Sequence, residues 1–285
     1  MTKPNPDIVA SRSEYIVADH TLTEKPKPFD FHFHEHYEMY FFLSCSGEMM
    51  VEQSKYSLSR GSLLVFNSHE AHRAMPAQNQ PYERIAVHFQ ANLIRALPLQ
   101  NCNLLACFQN HVFGTKNSSL LENETFDKFF YTAKNLIDSL KSSQPEGEAL
   151  ALSYLTQLLV IANHAFSESH EMTLPFSGFV SEAVLYIDSH LSDPLSLQHL
   201  AQILNIDPFH LSHQFKLQTG TSPYHYILIK RIALAKQLLS EGLSAIQTCE
   251  QAGFGEYNNF SRTFKKYVGI TPGNYKKIHK GLSQF

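Results

Sequence analysis

The run LAQILNIDPFHLSHQFKLQTGTSPYHYI (residues 200–227) and the run GFGEYNNFSRTFKKYVGITPGNY (residues 253–275) share one plan. Around the start of the first, Leu197, Leu200, Ala201 and Leu204 recur with the period of one helix face. The period breaks at Asn205-Ile206-Asp207, where Asp207 offers an N-cap and Pro208 a first helical residue. Leu211 and Phe215, four apart, then mark the inner face of a second helix. In the later run Ala252-Gly253-Phe254 supplies the turn, and Phe260 and Phe264 repeat the spacing of four. Ser212 and Phe215 match Ser261 and Phe264 at an offset of 49, whereas Leu204 and Ile206 match Ala252 and Phe254 at 48. The second turn is therefore expected to be one residue longer. Both copies close alike, on Gly220-Thr221-Ser222-Pro223 and Gly269-Ile270-Thr271-Pro272. Two short helices joined by a tight turn form a helix-turn-helix, here written twice, over about 196–218 and 245–267.

The residues opposite the apolar rows are the candidates for reading DNA. In the first unit these are His210, His213 and Gln214, with Lys216 beside them. In the second they are Tyr257, Asn258, Asn259 and Arg262. An arginine can grip guanine bidentately, and an asparagine can pair with adenine. Lys265 and Lys266 continue the basic side and suit phosphates, which position without specifying. Plain solvent exposure is the competing reading for each.

The run from Gly253 to Tyr275 resembles the signature of the AraC/XylS family of bacterial transcription regulators. The run Leu200–Ile227 and the following LIKRIALAKQLL resemble the first half of the same domain. In the first helix of the second unit, where the family places two isoleucine-like anchors, this chain has Ala245 and Thr248. Looser packing is expected there, with Ile246 a partial substitute. The resemblance implies double-stranded DNA as a partner, a small-molecule effector such as a sugar, a homodimer, and RNA polymerase if the protein activates. It implies a regulator and no enzyme. The helix from about Pro223 to Leu239 would set the spacing of the two readers.

Composition is compatible with this. The 285 residues, 43% hydrophobic, can bury two ordinary cores. Cys45, Cys102, Cys107 and Cys249 lack a paired-ligand spacing, which reads as reduced thiols. The opening MTKPNPDIVASRSEY has no apolar run of a signal peptide. The most apolar stretch, Ala149 to Phe166, is interrupted by Ser153, Thr156, Gln157, Asn163 and His164, and is expected to be a buried helix, not a membrane span. A cytoplasmic protein is expected. Residues 1–172 carry 13 Lys/Arg against 19 Asp/Glu, and residues 173–285 carry 10 against 7. Positive charge thus gathers in the DNA-reading half, where it can neutralise phosphates.

Ahead of that half, strands are expected at Tyr37–Leu43, Glu48–Tyr56, Gly61–Phe66 and Tyr82–Phe89, which suggests a small barrel or sandwich. From Ala91 the pattern turns helical. Phe126, Phe129, Phe130, Ala133, Ile137 and Leu140 recur at three and four, and Leu152–Phe166 forms a second helix. The stripe Phe126, Phe130, Ile137 with that second helix can serve a dimer contact or packing on the barrel. Ser167–Ser177 is the candidate linker. The fold class expected is α+β: a barrel over 1–92, a helical segment over 93–170, and an all-α double helix-turn-helix domain over 171–285.

The barrel carries its own constellation. His32, His34 and Glu38 have the spacing His-x-His-x3-Glu, and His72 follows Gly61, Asn67 and His69. In an extended strand His32, His34, His36 and Glu38 share one face. These stretches resemble the two motifs of a cupin barrel, with Asn67 and His69 in place of the usual proline and glycine. The resemblance leaves two readings. One is a metal held by His32, His34, Glu38 and His72. The other, preferred, has no cofactor and uses the same residues for ligand contact or structure. Arg73 and Arg84 are either effector-contacting donors or surface ion-pair partners. A metal-dependent cupin enzyme tethered to DNA, and a ligand-independent DNA binder, are the alternatives to a ligand-responsive regulator.

Overall fold

The structure is a computed structural model and describes residues 11–12, 15–27, 31–32, 36–52, 54–68, 70–78, 80–111, 114–168, 174–175 and 178–279. Two compact units emerge, 1–29 with 34–174, and 30–33 with 175–285. Most of the expected linker, Ser167–Ser177, lies outside the described residues.

In the first unit, strands β1 (Ser11–Arg12), β2 (Ile16–Thr23), β3 (Tyr37–Ser44), β4 (Gly47–Val51), β5 (Ser54–Leu58), β6 (Ser62–Phe66), β7 (His72–Pro76) and β8 (Tyr82–Phe89) precede helices α1 (Ala91–Arg95) and α2 (Ala106–Gln109). Strand β9 (Ser118–Leu120), helices α3 (Asn123–Lys141) and α4 (Glu146–Glu168), and strand β10 (Leu174–Pro175) follow. One sheet runs β1-β2-β8-β3-β6-β9 and the other β10-β5-β4-β7. This is the β-rich, cupin-like architecture that the motifs implied. Strand β3 is covered on both faces, which is why YEMYFFLS does not alternate. Met39 and Phe41 join the core beneath α3 and α4, while Tyr40 and Phe42 enter the core between the sheets. The Phe41 ring lies 4.9 Å from Phe126 and 4.7 Å from Phe129.

One expectation needs correction, and of the two readings of the Phe126 stripe the structure bears out packing on the barrel. The stretch from 93 to 170 is not wholly helical, because Ser118–Leu120 is too short for a helical period and completes the free edge of β6 instead. The stripe Phe126, Phe130, Ile137 is spent inside the chain: Phe126 and Ile137 are buried and Phe130 packs against the same core. Helix α4 is longer than expected and buries only one side, through Ala151, Leu155, Leu158, Leu159 and Ala162. Among the described residues it is the one helix long and apolar enough to cross a membrane, and it packs on α3.

The second unit holds α5 (Phe179–Ser189), α6 (Leu197–Ile203), α7 (Pro208–Thr219), α8 (Pro223–Ser240), α9 (Ala245–Gln251), α10 (Tyr257–Val268) and α11 (Pro272–His279). Ser196, Asp207, Ser222 and Ser244 cap four of these, each accepting a backbone N–H three residues on. The turn between α6 and α7 spans 204–207 and that between α9 and α10 spans 252–256, so the second is one residue longer. Asn205 and Gly253, 48 apart, take the same left-handed step, at φ 52° and 77°. Asparagine tolerates that step. At 253 only glycine fits, since a Cβ would run into the Leu191 carbonyl oxygen and reach within 2.8 Å of Arg231 Nε. Arg231 donates from Nε to the Leu191 carbonyl (3.0 Å) and from its terminal nitrogen to that of Asp193 (2.6 Å). Ser192 Oγ donates to the Gln251 carbonyl at 2.6 Å. The 191–193 loop is thereby fastened to α8 and to the last residue of α9.

Helix α9 carries the departure noted in the sequence. Thr248 is fully buried, its hydroxyl has no hydrogen-bond partner, and Ile246 faces solvent. An unpaired buried hydroxyl costs free energy that an apolar group of the same shape does not. Thr248→Val should therefore stabilise the chain by about 1 kcal/mol. Urea unfolding checks it: an unchanged or lower midpoint would show that the hydroxyl is compensated.

Candidate nucleic-acid interface and effector site

Helix α7 starts at a fixed point, because Asp207 accepts the His210 N–H at 2.9 Å and Pro208 holds the first helical φ. It ends on Gly220 at φ 74°. Leu211, Phe215 and Thr219 form its buried row. The opposite face exposes Phe209, His210, His213, Lys216 and Leu217. Of the expected readers, His210, His213 and Lys216 are on this face, whereas Gln214 is half-buried at its flank. The His210 ring also packs 5.3 Å from that of Phe179 on α5. Phe209 and Leu217, 86% and 67% exposed, were not anticipated, because apolar residues read as interior. The offset of 49 would have found them: it pairs Phe209 with Asn258 and Leu217 with Lys266.

Helix α10 buries Phe260 and Phe264 and exposes all six expected residues, Tyr257, Asn258, Asn259, Arg262, Lys265 and Lys266. Lys265 and Lys266 occupy its last turn, where cations complement the helix dipole. The outer face therefore runs from amides at the N-terminal end, through one guanidinium, to two ammonium groups.

In the first unit, alternation along the strands decides what faces the space between the sheets. Glu38 shares the face of Tyr40 and Phe42, His72 that of Ala74, and Arg84 and His88 that of Tyr82 and Ala86. His72 Nε2 lies 3.0 Å from one Glu38 oxygen and His88 Nε2 lies 3.3 Å from the other. The His72 ring stacks on Phe66 at 4.0 Å, and its Nδ1 is 3.0 Å from the Glu70 carbonyl. The Arg84 guanidinium stands 5.0 Å over the Tyr40 ring and 5.3 Å over that of Tyr82. Burial pushes the Tyr82 phenol up to about 12, against the pull of Arg84. Burial and then Glu38 drive Tyr40 well above its ordinary value. For Arg84, burial lowers the pKa, but Tyr40, Tyr82, Asp19 and Glu38 together raise it. The cluster offers a guanidinium, neutral phenols and the Glu38 carboxyl group flanked by the His72 and His88 rings, set in an aromatic wall.

Three of the expected residues, Glu38, His72 and Arg84, thus converge. Arg73 does not: it sits between His72 and Ala74 on β7, and successive side chains of a strand point to opposite faces. His34 lies outside the described residues, as does His69. His32 is described and half-buried, but β3 begins only at Tyr37, so the alternation expected from His32 to Glu38 is not carried by that strand. Among the described residues no three His, Cys, Asp or Glu side chains are placed to hold a metal ion. His88 was missed, although its period-two spacing from Tyr82 and Arg84 was available. Asn67, standing in for proline, is used structurally: its N–H donates to Glu70 and its Nδ2 to the Phe108 carbonyl. Glu70 in turn accepts from Asn117 Nδ2 at 2.8 Å and the Gly114 N–H at 3.0 Å.

Residues 21–159 match the AraC-like ligand binding domain, and residues 200–278 match a helix-turn-helix domain. The chain is 36% identical over 142 residues to the arabinose operon regulatory protein of Escherichia coli K12, a match that spans 48% of each chain. It is 32% identical over 118 residues to the HTH-type transcriptional activator AarP of Providencia stuartii, covering 41% of this chain and 87% of that one. Among solved structures, the C-terminal domain of AraT, a response regulator from Geobacillus stearothermophilus, is 30% identical, with 39% of this chain and 93% of that chain covered and a TM-score of 0.37. The match spans about half the length of the arabinose regulator, but nearly all of AarP. With a ligand-binding domain followed by a DNA-binding helix-turn-helix domain, this chain belongs to the AraC family of transcription regulators.

Proposed function

We propose that this protein is a cytoplasmic homodimer that binds specific DNA sites and alters transcription when a small polar molecule, such as a sugar, occupies the first unit. The observation that carries the DNA half is the pair of outward faces on α7 and α10, built at matching positions over buried rows. Each helix would enter the major groove about one helical turn from the other, with α8 fixing their separation. Phosphates would take Lys216, Lys265 and Lys266. His210, His213, Asn258, Asn259 and Arg262 would meet base edges, with Tyr257 at their border. An activating arrangement would add RNA polymerase as a partner.

For the effector, the support is the Glu38, His72, His88 and Arg84 cluster beside Tyr40, Tyr82 and Phe66. Hydroxyl groups can donate to the carboxylate and accept from the guanidinium, and a sugar face can lie on the rings. Both Glu38 oxygens have imidazole neighbours, an arrangement suited to recognition, and no cofactor is invoked. Occupancy changes DNA binding only if the effector prefers one of two conformations.

The dimer contact is assigned to the outer side of α4. Ala149, Leu150, Ser153, Gln157, Val160 and His164 are exposed there, and the helix has no charged residue between Glu148 and Glu168. A neutral face meets its own image across a two-fold axis without like-charge repulsion. Tethering two DNA-reading domains raises the effective concentration at the second half-site, to millimolar for short linkers.

The direct test is DNA affinity of the full chain, on sites selected from a random pool, with and without a panel of sugars. Arg84→Ala should need at least tenfold more effector while its effector-free DNA affinity stays within about twofold, a loss on the scale of one charged hydrogen bond. If no sugar shifts the wild-type affinity, the effector assignment fails. Lys266→Ala should weaken all sites about equally and lower the salt slope by about one; an unchanged slope removes Lys266 from the phosphates. Val160→Asp should turn a dimer into a monomer in light scattering at micromolar concentration, with its melting temperature kept. A monomeric wild type, or a dimeric variant, would place the contact elsewhere.

A further inference from the structure

We propose that Phe209 reads one thymine of the first unit's subsite through the C5 methyl group, making it a specificity residue of a different chemical kind from its counterpart in the second unit. Phe209 is 86% exposed, the most exposed large apolar side chain among the described residues. It is the second residue of α7, directly after Pro208. The first turn of a recognition helix is the part that reaches base edges. Its placement is rigid, since Asp207 caps the helix and Pro208 fixes its first residue. Leaving a phenyl ring in water forgoes the free energy of burying it, so the position calls for an apolar contact once the helix is docked.

The internal repeat sharpens the chemistry. At the offset of 49, Phe209 stands where the second unit has Asn258, His213 where it has Arg262, and Leu217 where it has Lys266. The second face is built from hydrogen-bond donors and cations. The first replaces an amide by a phenyl, a guanidinium by an imidazole and an ammonium by an isobutyl group. On the major-groove edge of a base pair the one apolar feature is the thymine methyl, and phenylalanine is among the side chains that contact it. The two units therefore read by different means, the first adding a methyl contact to its imidazoles and the second using donors and acceptors alone.

This rests on the proposed entry of α7 into the major groove, and the experiment separates the two claims. Sites are selected for the full-length protein from a random pool, and each thymine is replaced in turn by deoxyuridine, which deletes only the methyl group. Wild type should lose about fourfold in affinity at one thymine, the worth of one buried methyl-sized group. Phe209→Ala should bind the thymine site about fourfold more weakly, be indifferent to deoxyuridine there, and lose the thymine preference on reselection. Asn258→Ala should keep the deoxyuridine effect. The ring is exposed, so the melting temperature of Phe209→Ala should match that of wild type.

Deoxyuridine without effect at every position, or a Phe209→Ala variant that keeps the thymine preference, overturns the proposal. In the second case His213→Ala decides what else falls. If it changes the selected sequence, α7 lies in the groove and only the methyl contact is wrong; if it changes nothing, α7 is not in the groove. A variant that binds and selects DNA as wild type but fails to regulate would place Phe209 against a protein and would equally overturn the reading.

Discussion

Strand β3 is buried on both faces, and the polar chemistry of the first unit follows from that. A strand that must satisfy helices on one side and a second sheet on the other has little room for a charge. Glu38 is nonetheless on it, completely buried. A carboxylate in that position has to be surrounded by groups that answer its charge or its lone pairs. His72 from β7 and His88 from β8 each bring a ring nitrogen to a different one of its oxygens. The same exclusion of water strengthens every electrostatic contact in the cluster. It also keeps the Tyr40 and Tyr82 phenols neutral, and the Arg84 guanidinium lies over their rings.

The second unit solves a different problem, holding two polar faces in fixed relation on small helices. Helix α7 buries Leu211, Phe215 and Thr219 and α10 buries only Phe260 and Phe264, so much of the rigidity comes from neighbours. Tyr226 on α8 packs edge-on against Phe215, and Tyr275 on α11 does so against Phe264. His225 on α8 reaches Thr221 at 2.8 Å and the Tyr267 hydroxyl on α10 at 3.1 Å. The long helix between the readers thus touches both of them.

Much of this was legible in the residues. The double helix-turn-helix could be read because turns, caps and anchor rows repeat at nearly constant offset, down to the extra residue in the second turn. Strands β3, β6 and β8 could be read from apolar and β-branched runs. What the pattern could not give were contacts made between distant strands. His88 becomes a partner of Glu38 only through the pairing of β3 with β8, which no local spacing encodes. Arg73 looked equivalent to Arg84 because the pleat phase of β7 was not assigned. Phe209 and Leu217 are apolar yet exposed, so a reading that assigns hydrophobic residues to the interior does not find them on the outer face of α7. Strand β9 is three residues long and exists through its neighbour, not through its own sequence.

Helix α5 gives the second unit a mechanical property. Its first residue, Phe179, rests on His210 of the first reader, and the loop at its far end is pinned by Arg231 to α8 and by Ser192 to the end of α9, just before the turn into the second reader. It is a beam lying on two supports. A rigid beam cannot rotate at one support while standing still at the other, so a twist delivered to α5 would change the pitch between the two reading helices. Such a device would retune the preferred helical phase of the DNA itself, favouring slightly overwound or underwound sites.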